Sequence, residues 1–164
     1  MPTIDEYAYY PREERLTRIA RTPSELTAAV RGAGNEVLAR RPAPKSWAAT
    51  EVICHLRDNE EWFLERMKLV VATDRPRFVA TNPDRWAEER QYLTNDATVA
   101  LAAFTRRRGE TLEFLQRLGP DDWARAGVHA DSRGRRTIDE FLSVMAWHDD
   151  NHLDQLRRAL DGRA

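Results

Sequence analysis

Four stretches of this chain carry apolar residues at the spacing of one face of an α-helix, and no other feature constrains the fold as much. The predicted long helices span about 22–41, 48–71, 96–118 and 137–161. Residues 5–21, and a segment that starts at Asn82-Pro83-Asp84 and contains Trp86, could add short helices. Gly32 and Gly34 lie inside the first long helix and are expected to weaken it. Capping boxes mark two starts, Thr22-Pro23-Ser24-Glu25 and Thr137-Ile138-Asp139-Glu140. No segment alternates like a strand. We therefore expect an all-α four-helix bundle with a short N-terminal segment and long loops between helices 2–3 and 3–4.

Charge and cysteine content exclude several classes of protein. The chain has 164 residues, which suits one domain over 1–164, and its 26 basic against 27 acidic residues give a net charge of −1. This balance argues against a nucleic-acid or membrane-surface partner. The single cysteine, Cys54, excludes an intramolecular disulfide. The sequence has no signal peptide and no apolar stretch long enough to span a bilayer, so we expect a cytoplasmic protein.

Two histidines lie one turn apart on the inward face of the last predicted helix. His148 and His152 share an arc of about 80° with Phe141, Met145 and Leu156. An i, i+4 pair of histidines has ordinary spacing for chelating one divalent cation. His55 lies at the edge of the apolar face of the second predicted helix. If these two helices face each other, three imidazoles converge inside the bundle.

The same histidines have a structural interpretation, in which they are hydrogen-bonded polar groups of the core. For His55 alone, a core or capping role is an equal alternative to metal ligation. Polar residues beside the histidines, among them Asn59 and Gln155, could orient the imidazole rings. Asp149 and Asp150 could do the same or form a solvated face, and for Asp150 the solvated face is preferred.

The segments that contain these histidines resemble a known family. Residues 47–58, WAATEVICHLRD, resemble the W-S-x-x-E-x-x-x-H-L-x-D segment of the DinB-like superfamily. Residues 147–156, WHDDNHLDQL, resemble its closing H-x-x-x-H-L-x-Q helix. The match covers nearly the whole chain in order. One departure is Ala48, where the family has a serine that caps the helix.

The resemblance implies a bacterial four-helix bundle, often a homodimer, with one divalent metal ion bound by three histidines. The matching positions are His55, His148 and His152, and the metal in this family is zinc, nickel, iron or manganese. The superfamily includes hydrolases, and S-transferases and isomerases that use bacillithiol or mycothiol. The resemblance therefore implies a small-molecule substrate and, for the thiol-dependent members, a low-molecular-weight thiol cosubstrate.

These observations predict a metal-dependent enzyme that activates a thiol or water against a small electrophile. Asp149 or His129 could move the proton, although His129 lies in a glycine-containing loop and could instead anchor that loop. Cys54 points about 100° away from His55 and is not expected to supply the thiol. Two alternatives stay open: a structural or sensory metal site without catalysis, and an interaction protein whose histidines bind no metal.

Loop arginines and two tryptophans are further candidates for substrate contacts. An arginine could hold a carboxylate-bearing cosubstrate, and a tryptophan could line an apolar wall. The alternative for the arginines is solvated surface charge, and core packing is preferred for Trp62. The residues concerned are Arg75, Arg77, Arg133, Arg135, Trp62 and Trp86.

Overall fold

The computed structural model describes residues 3–79, 81–82, 85–129 and 134–164. The helices are α1 Ile4–Ala8, α2 Arg12–Ala29, α3 Asn35–Leu38, α4 Ala49–Ala72, α5 Trp86–Glu89, α6 Ala97–Gln116 and α7 Ile138–Leu160. The strands are β1 Arg77–Phe78, β2 Ala126–His129 and β3 Arg135–Thr137, and 3₁₀ turns occupy Tyr92–Thr94 and Pro120–Ala124.

The four long helices form the predicted four-helix bundle. Helix α4 packs against α6 and α7, and α2 packs against the same two helices, so α2 and α4 lie on one diagonal. The chain therefore crosses the bundle twice, between α2 and α4 and between α6 and α7. Because α4 and α7 are neighbours, residues on their facing sides can meet. None of the described helices is long and apolar enough to cross a membrane.

The predicted bounds of α4, α6 and α7 agree closely with the structure because local capping sets them. The Asp96 side chain accepts hydrogen bonds from the first free N–H groups of α6, and Thr137 and Glu140 form the predicted capping box of α7. Ala48 occupies the N-cap position of α4, but its side chain has no atom that can accept a hydrogen bond from the helix. Instead, the carboxylate of Glu51 accepts a 2.9 Å hydrogen bond from the Ala48 N–H.

The predicted start of the first long helix is wrong. Helix α2 begins at Arg12 and contains Pro23 in its interior, so the segment 22–25 is not a helix start. The helix also ends earlier than predicted, at Ala29. Gly32 has a φ of +77° in the turn that follows, and Gly34 caps the short helix α3. The two glycines therefore separate helices and do not weaken one.

A buried arginine explains why a proline is tolerated inside α2. Proline has no N–H, so Pro23 leaves the carbonyl of Ile19 without its helical donor. Arg108 of α6 donates a 2.6 Å hydrogen bond to that carbonyl. The side chain of Thr22, which the sequence suggested as a cap, instead donates to Asp149 of α7 at 2.5 Å.

A small three-stranded sheet covers one part of the bundle and was not predicted. Strand β1 pairs in parallel with β2, and β2 pairs antiparallel with β3. These strands span only two to four residues, too few for an alternating pattern to stand out in the sequence. Gly127 is required here, because a Cβ at this position would lie 2.2 Å from the ring of Phe78.

Two predictions fall partly on residues outside the described ranges. The predicted short helix near Trp86 is present as α5, but its proposed start at Asn82-Pro83-Asp84 includes two residues that are not described. Arg133 also lies outside the described residues. The predicted segment from 5 to 21 is divided between α1 and the first half of α2.

Candidate metal centre

Three histidines from the two facing helices meet in the bundle. His55 comes from α4, and His148 and His152 come from successive turns of α7. Each offers one ring nitrogen, and these three atoms lie within 4.8 Å of one another. The Nε2 atoms of His55 and His148 are 3.2 Å apart. The arrangement brings together the same residues that the sequence predicted as metal ligands.

This donor set fits a divalent transition-metal ion. Zinc–nitrogen bonds of about 2.0–2.1 Å at tetrahedral angles place two ligand nitrogens about 3.3 Å apart. The observed 3.2 Å between the Nε2 atoms of His55 and His148 is close to that separation. Three imidazoles leave at least one coordination position for a water or a substrate atom, as in catalytic sites.

Neighbouring side chains hold the histidine rings in place. The Oε1 atom of Gln155 accepts a 2.8 Å hydrogen bond from Nδ1 of His152, which fixes the orientation of that ring. The amide nitrogen of Asn59 lies 3.2 Å from Nδ1 and 3.1 Å from Nε2 of His55, and it donates to the His55 carbonyl at 3.0 Å. Trp47 packs against both rings, with centroids 4.8 Å from His55 and 6.3 Å from His152.

The surroundings keep two of the histidines neutral. Burial, together with the neighbouring His152, lowers the pKa of His55 to about 3. Burial and the two other imidazoles also lower the pKa of His148 well below its ordinary value. A neutral imidazole has the free lone pair that metal coordination needs, so these two rings are ready to bind a cation without first losing a proton.

Asp149 lies in a buried ion pair, where its hydrogen bonds are to residues other than the histidines. Its carboxylate accepts hydrogen bonds from Arg108 at 2.5 and 3.1 Å and from Thr22, and Asp149 is only 1% exposed. Burial alone would lower the pKa of Arg108, but Asp149 and Glu60 outweigh it and raise that pKa. The solvated-face interpretation is therefore wrong for Asp149, and the carboxylate is engaged in holding the bundle together.

Asp150 is also more constrained than a solvated charge. It accepts a hydrogen bond from Arg18 at 2.5 Å and another from the Tyr7 hydroxyl, and its side chain is 29% exposed. These contacts attach α1 and α2 to α7. Cys54 is fully buried, and burial raises the pKa of its thiol to about 11. It packs as the sequence suggested, away from the histidines.

An apolar cavity of about 270 Å³ lies near the cluster of three histidines, none of which is among its described lining residues. Asn59, which contacts His55, lines it, as does Phe63, whose ring centroid is 5.8 Å from that of His148. His129 lies on the same wall at the end of β2, buried against aromatic rings. The remaining lining residues are Ile4, Trp62, Arg136, Phe141 and Val144. Trp62 thus packs in the core and also forms part of the cavity wall.

The loop arginines and Trp86 lie elsewhere. Arg75 is exposed beside Asp74, and Arg135 lines a separate recess near Thr73. Arg77 and Trp86 line a recess of about 450 Å³, and a second one of that size lies against Tyr7. No described histidine lines either of these two recesses.

Sequence reasoning did not single out several residues that shape this site. Trp47 belongs to the quoted motif but was not identified as a wall of the site. Arg108 is one of three consecutive arginines in α6, and nothing in its neighbours distinguishes it as the one that is 1% exposed. Pro23 gave no signal either, because in the first turn of the predicted helix 22–41 a proline leaves no helical carbonyl without a donor.

The fold and the site together define a helical bundle with a cluster of three histidines between two helices. The sequence profile of the DinB superfamily matches residues 18–156. The chain belongs to that superfamily.

Individual relatives agree with this assignment. YfiT of Bacillus subtilis is 23% identical over 142 residues, covering 87% of this chain and 80% of YfiT. YfiT is described as a probable metal-dependent hydrolase with an unusual four-helix bundle topology. Its solved structure superimposes with a TM-score of 0.84 at 21% identity, over 92% of this chain and 91% of that one. OB0413 of Oceanobacillus iheyensis, also a candidate metal-dependent hydrolase, is 22% identical over 92% of this chain and 86% of its own length.

A thiol-dependent enzyme shares the fold. The mycothiol-dependent maleylpyruvate isomerase superimposes with a TM-score of 0.72 at 17% identity. The match covers 95% of this chain but 63% of the isomerase, which is longer. At this level of identity the likeness establishes the fold and nothing about the substrate.

Proposed function

We propose that this protein is a divalent-metal-dependent enzyme that activates a thiol cosubstrate or water for attack on a small electrophile with an apolar group. The observation that carries the proposal is the meeting of three imidazoles in the bundle, next to an apolar cavity whose wall includes Asn59 and Phe63, two neighbours of these imidazoles. A purely structural ion would not need such a cavity beside it. The metal-dependent relatives support the same reaction class.

The ion, when bound by three uncharged ligands, would supply Lewis acidity that lowers the pKa of a bound thiol or water. The chain's own residues do the rest. Gln155 holds the ring of His152, and Trp47 packs against His55 and His152, so the donor atoms keep their positions. Trp62 and Phe63 on the cavity wall exclude water from the apolar part of the substrate.

His129 is our candidate for moving the proton. Of the described residues that line the cavity, only His129 and Arg136 are titratable. An imidazole can accept and return a proton near neutral pH, whereas a guanidinium stays charged. Asp149 is the weaker candidate because Arg108 and Thr22 already bond its carboxylate.

Elemental analysis of the purified protein tests the first half of this proposal. We expect about one metal ion per chain, and its loss in the double variant His148→Ala, His152→Ala. The matched control is His129→Gln, which removes a buried imidazole outside the cluster and should leave the metal content unchanged. Absence of metal in the wild-type protein after reconstitution with zinc, nickel, iron(II) and manganese would refute the metal centre.

Turnover assays test the second half. The reconstituted protein is screened for consumption of bacillithiol, mycothiol or glutathione with apolar electrophiles, and for hydrolysis of apolar esters. We expect turnover that disappears in metal-free protein and falls by about 10²–10⁴-fold in His129→Gln while metal content is retained. Metal binding without turnover on any of these substrates would favour the structural or sensory alternative.

A further inference from the structure

A second recess, of about 350 Å³, reaches the metal centre from a different direction. It lies between the segment before α4 and the last turns of α7. His152 and its hydrogen-bond partner Gln155 form part of its wall, and Trp47 separates it from His55. It shares no described lining residue with the apolar cavity that Asn59 and Phe63 line.

The wall of this recess carries three positive side chains, those of Lys45, Arg158 and Arg163. No acidic side chain is among the described residues that line it, although the wall also includes the last residue, Ala164, whose α-carboxylate carries one negative charge against these three positive ones. The carboxylates of Asp154 and Asp161 pair with the two arginines at 3.0 and 2.8 Å, but they stand outside the lining. Each of these pairs is partly exposed, so the arginines keep donors for a further partner.

We propose that this recess is an anion subsite that takes the carboxylate of a small molecule whose other end reaches the metal centre. Arginine presents a planar fork of donors that suits a carboxylate, and lysine adds a point charge. Because His152 lies in the same wall, the other end of a ligand bound by these positive side chains would lie next to the proposed metal. The inference deepens the proposed function and depends on it for the role of the ligand.

With this subsite, two different chemical groups would bind on separate sides of the metal centre. The apolar cavity beside Asn59 takes an uncharged group, and the cationic recess beside His152 takes a charged one. Two reactants could thus approach the three histidines from separate sides. The loop arginines that the sequence suggested for a carboxylate, such as Arg75, lie elsewhere, so Lys45 and Arg158 replace them in this role.

Isothermal titration calorimetry with two variants tests the subsite. The test variant is Lys45→Gln with Arg158→Gln. The control is Lys68→Gln with Arg117→Gln, which removes the same two charge types on exposed parts of α4 and the end of α6. Arg117 is matched to Arg158 because each pairs with an acid four residues earlier on its helix. Thermal melting confirms that both variants are folded.

The probes are mercaptosuccinate, succinate and 2-mercaptoethanol, each with zinc-loaded and with metal-free protein. We expect the test variant to bind mercaptosuccinate and succinate about tenfold more weakly than the wild type, and 2-mercaptoethanol equally well. The control variant should bind all three like the wild type. If the test variant binds both dicarboxylates as tightly as the wild type does, or if the control variant shows the same loss, the proposal is overturned.

The titrations also distinguish the two possible sources of the carboxylate, and they test the subsite separately from the proposed metal-dependent function. If mercaptosuccinate binds more tightly than succinate only when zinc is present, the carboxylate arrives on the thiol cosubstrate. If the two probes bind with equal affinity, the carboxylate belongs to the electrophile. Either result supports the subsite. If the protein binds no metal, the proposed function fails. The succinate titration of metal-free protein still decides the subsite, because it needs no metal.

Discussion

Replacing Arg108 by methionine should destabilise the protein, and replacing Pro23 by alanine should restore part of the loss. Arg108 is fully buried and joins three helices through Ile19, Glu60 and Asp149. Methionine keeps most of its length without the charge. The change leaves two buried carboxylates without their cation and the carbonyl of Ile19 without a donor.

The magnitude follows from these lost partners. Removing one member of a buried ion pair costs about 3–5 kcal/mol of unfolding free energy. An unsatisfied buried carbonyl contributes about 1–3 kcal/mol of such a loss. Pro23→Ala supplies an N–H aimed at Ile19, and in the wild type that carbonyl already accepts from Arg108. The alanine should therefore stabilise the Arg108→Met protein by about 1–2 kcal/mol more than it stabilises the wild type.

Urea unfolding of the four proteins in this double-mutant cycle, followed by circular dichroism at pH 7, measures the coupling. Equal m-values across the set would show that the unfolded states are comparable. Additivity within about 0.5 kcal/mol would refute the reasoning, because it would mean that Arg108 does not replace the donor that Pro23 lacks.

Three further changes test other parts of the structure. Gly127→Ala should cost about 1–3 kcal/mol of stability, seen as a lower melting temperature, because its Cβ would overlap the ring of Phe78; an unchanged melting temperature would contradict this. Asp58 is buried, which raises its pKa, but the donors around it outweigh burial and lower it. The stabilisation from the Asp58 carboxylate is thus complete above about pH 4 and is lost as the pH falls through the lower folded pKa. Asp58→Asn should therefore lower the free energy of unfolding in urea by about 2 kcal/mol at pH 7 and make it depend less on pH below about pH 4. The same pH dependence in the variant and the wild type in that acid range would count against this. Gln155→Leu should weaken metal binding about 10–100-fold by freeing the ring of His152, measured by competition with a chelator; Gln116→Leu at the exposed end of α6 is the control, and equal affinities would exclude the positioning role.

The histidine cluster could be predicted because it depends on helix periodicity. His148 and His152 share a face whenever α7 is helical, and the motif around His55 resembles that of the same family. The sequence could not supply the rotation of α4 against α7, which brings the Nε2 atoms of His55 and His148 to 3.2 Å. That distance is a product of packing across the whole bundle.

Asp149 shows where local reasoning failed. Beside His148 and among polar residues, it reads as a solvated or catalytic carboxylate. One residue corresponds to about 100° around a helix, so it faces α2 and α6, and Arg108 lies there. No local pattern relates Asp149 to an arginine 41 positions away. The pair exists only once three helices are assembled.

By itself, the sequence determined the features that nearest neighbours control: the capped starts of α6 and α7, the helical faces and the pairing of His148 with His152. Tertiary structure decided those that require distant segments to meet. It continued α2 through Pro23 because Arg108 supplies the missing donor, and it paired short strands that no alternation revealed. It also placed Lys45 beside Arg158 and His152. The physical reason is that hydrogen bonds and charges are satisfied in three dimensions, whereas propensity acts only along the chain.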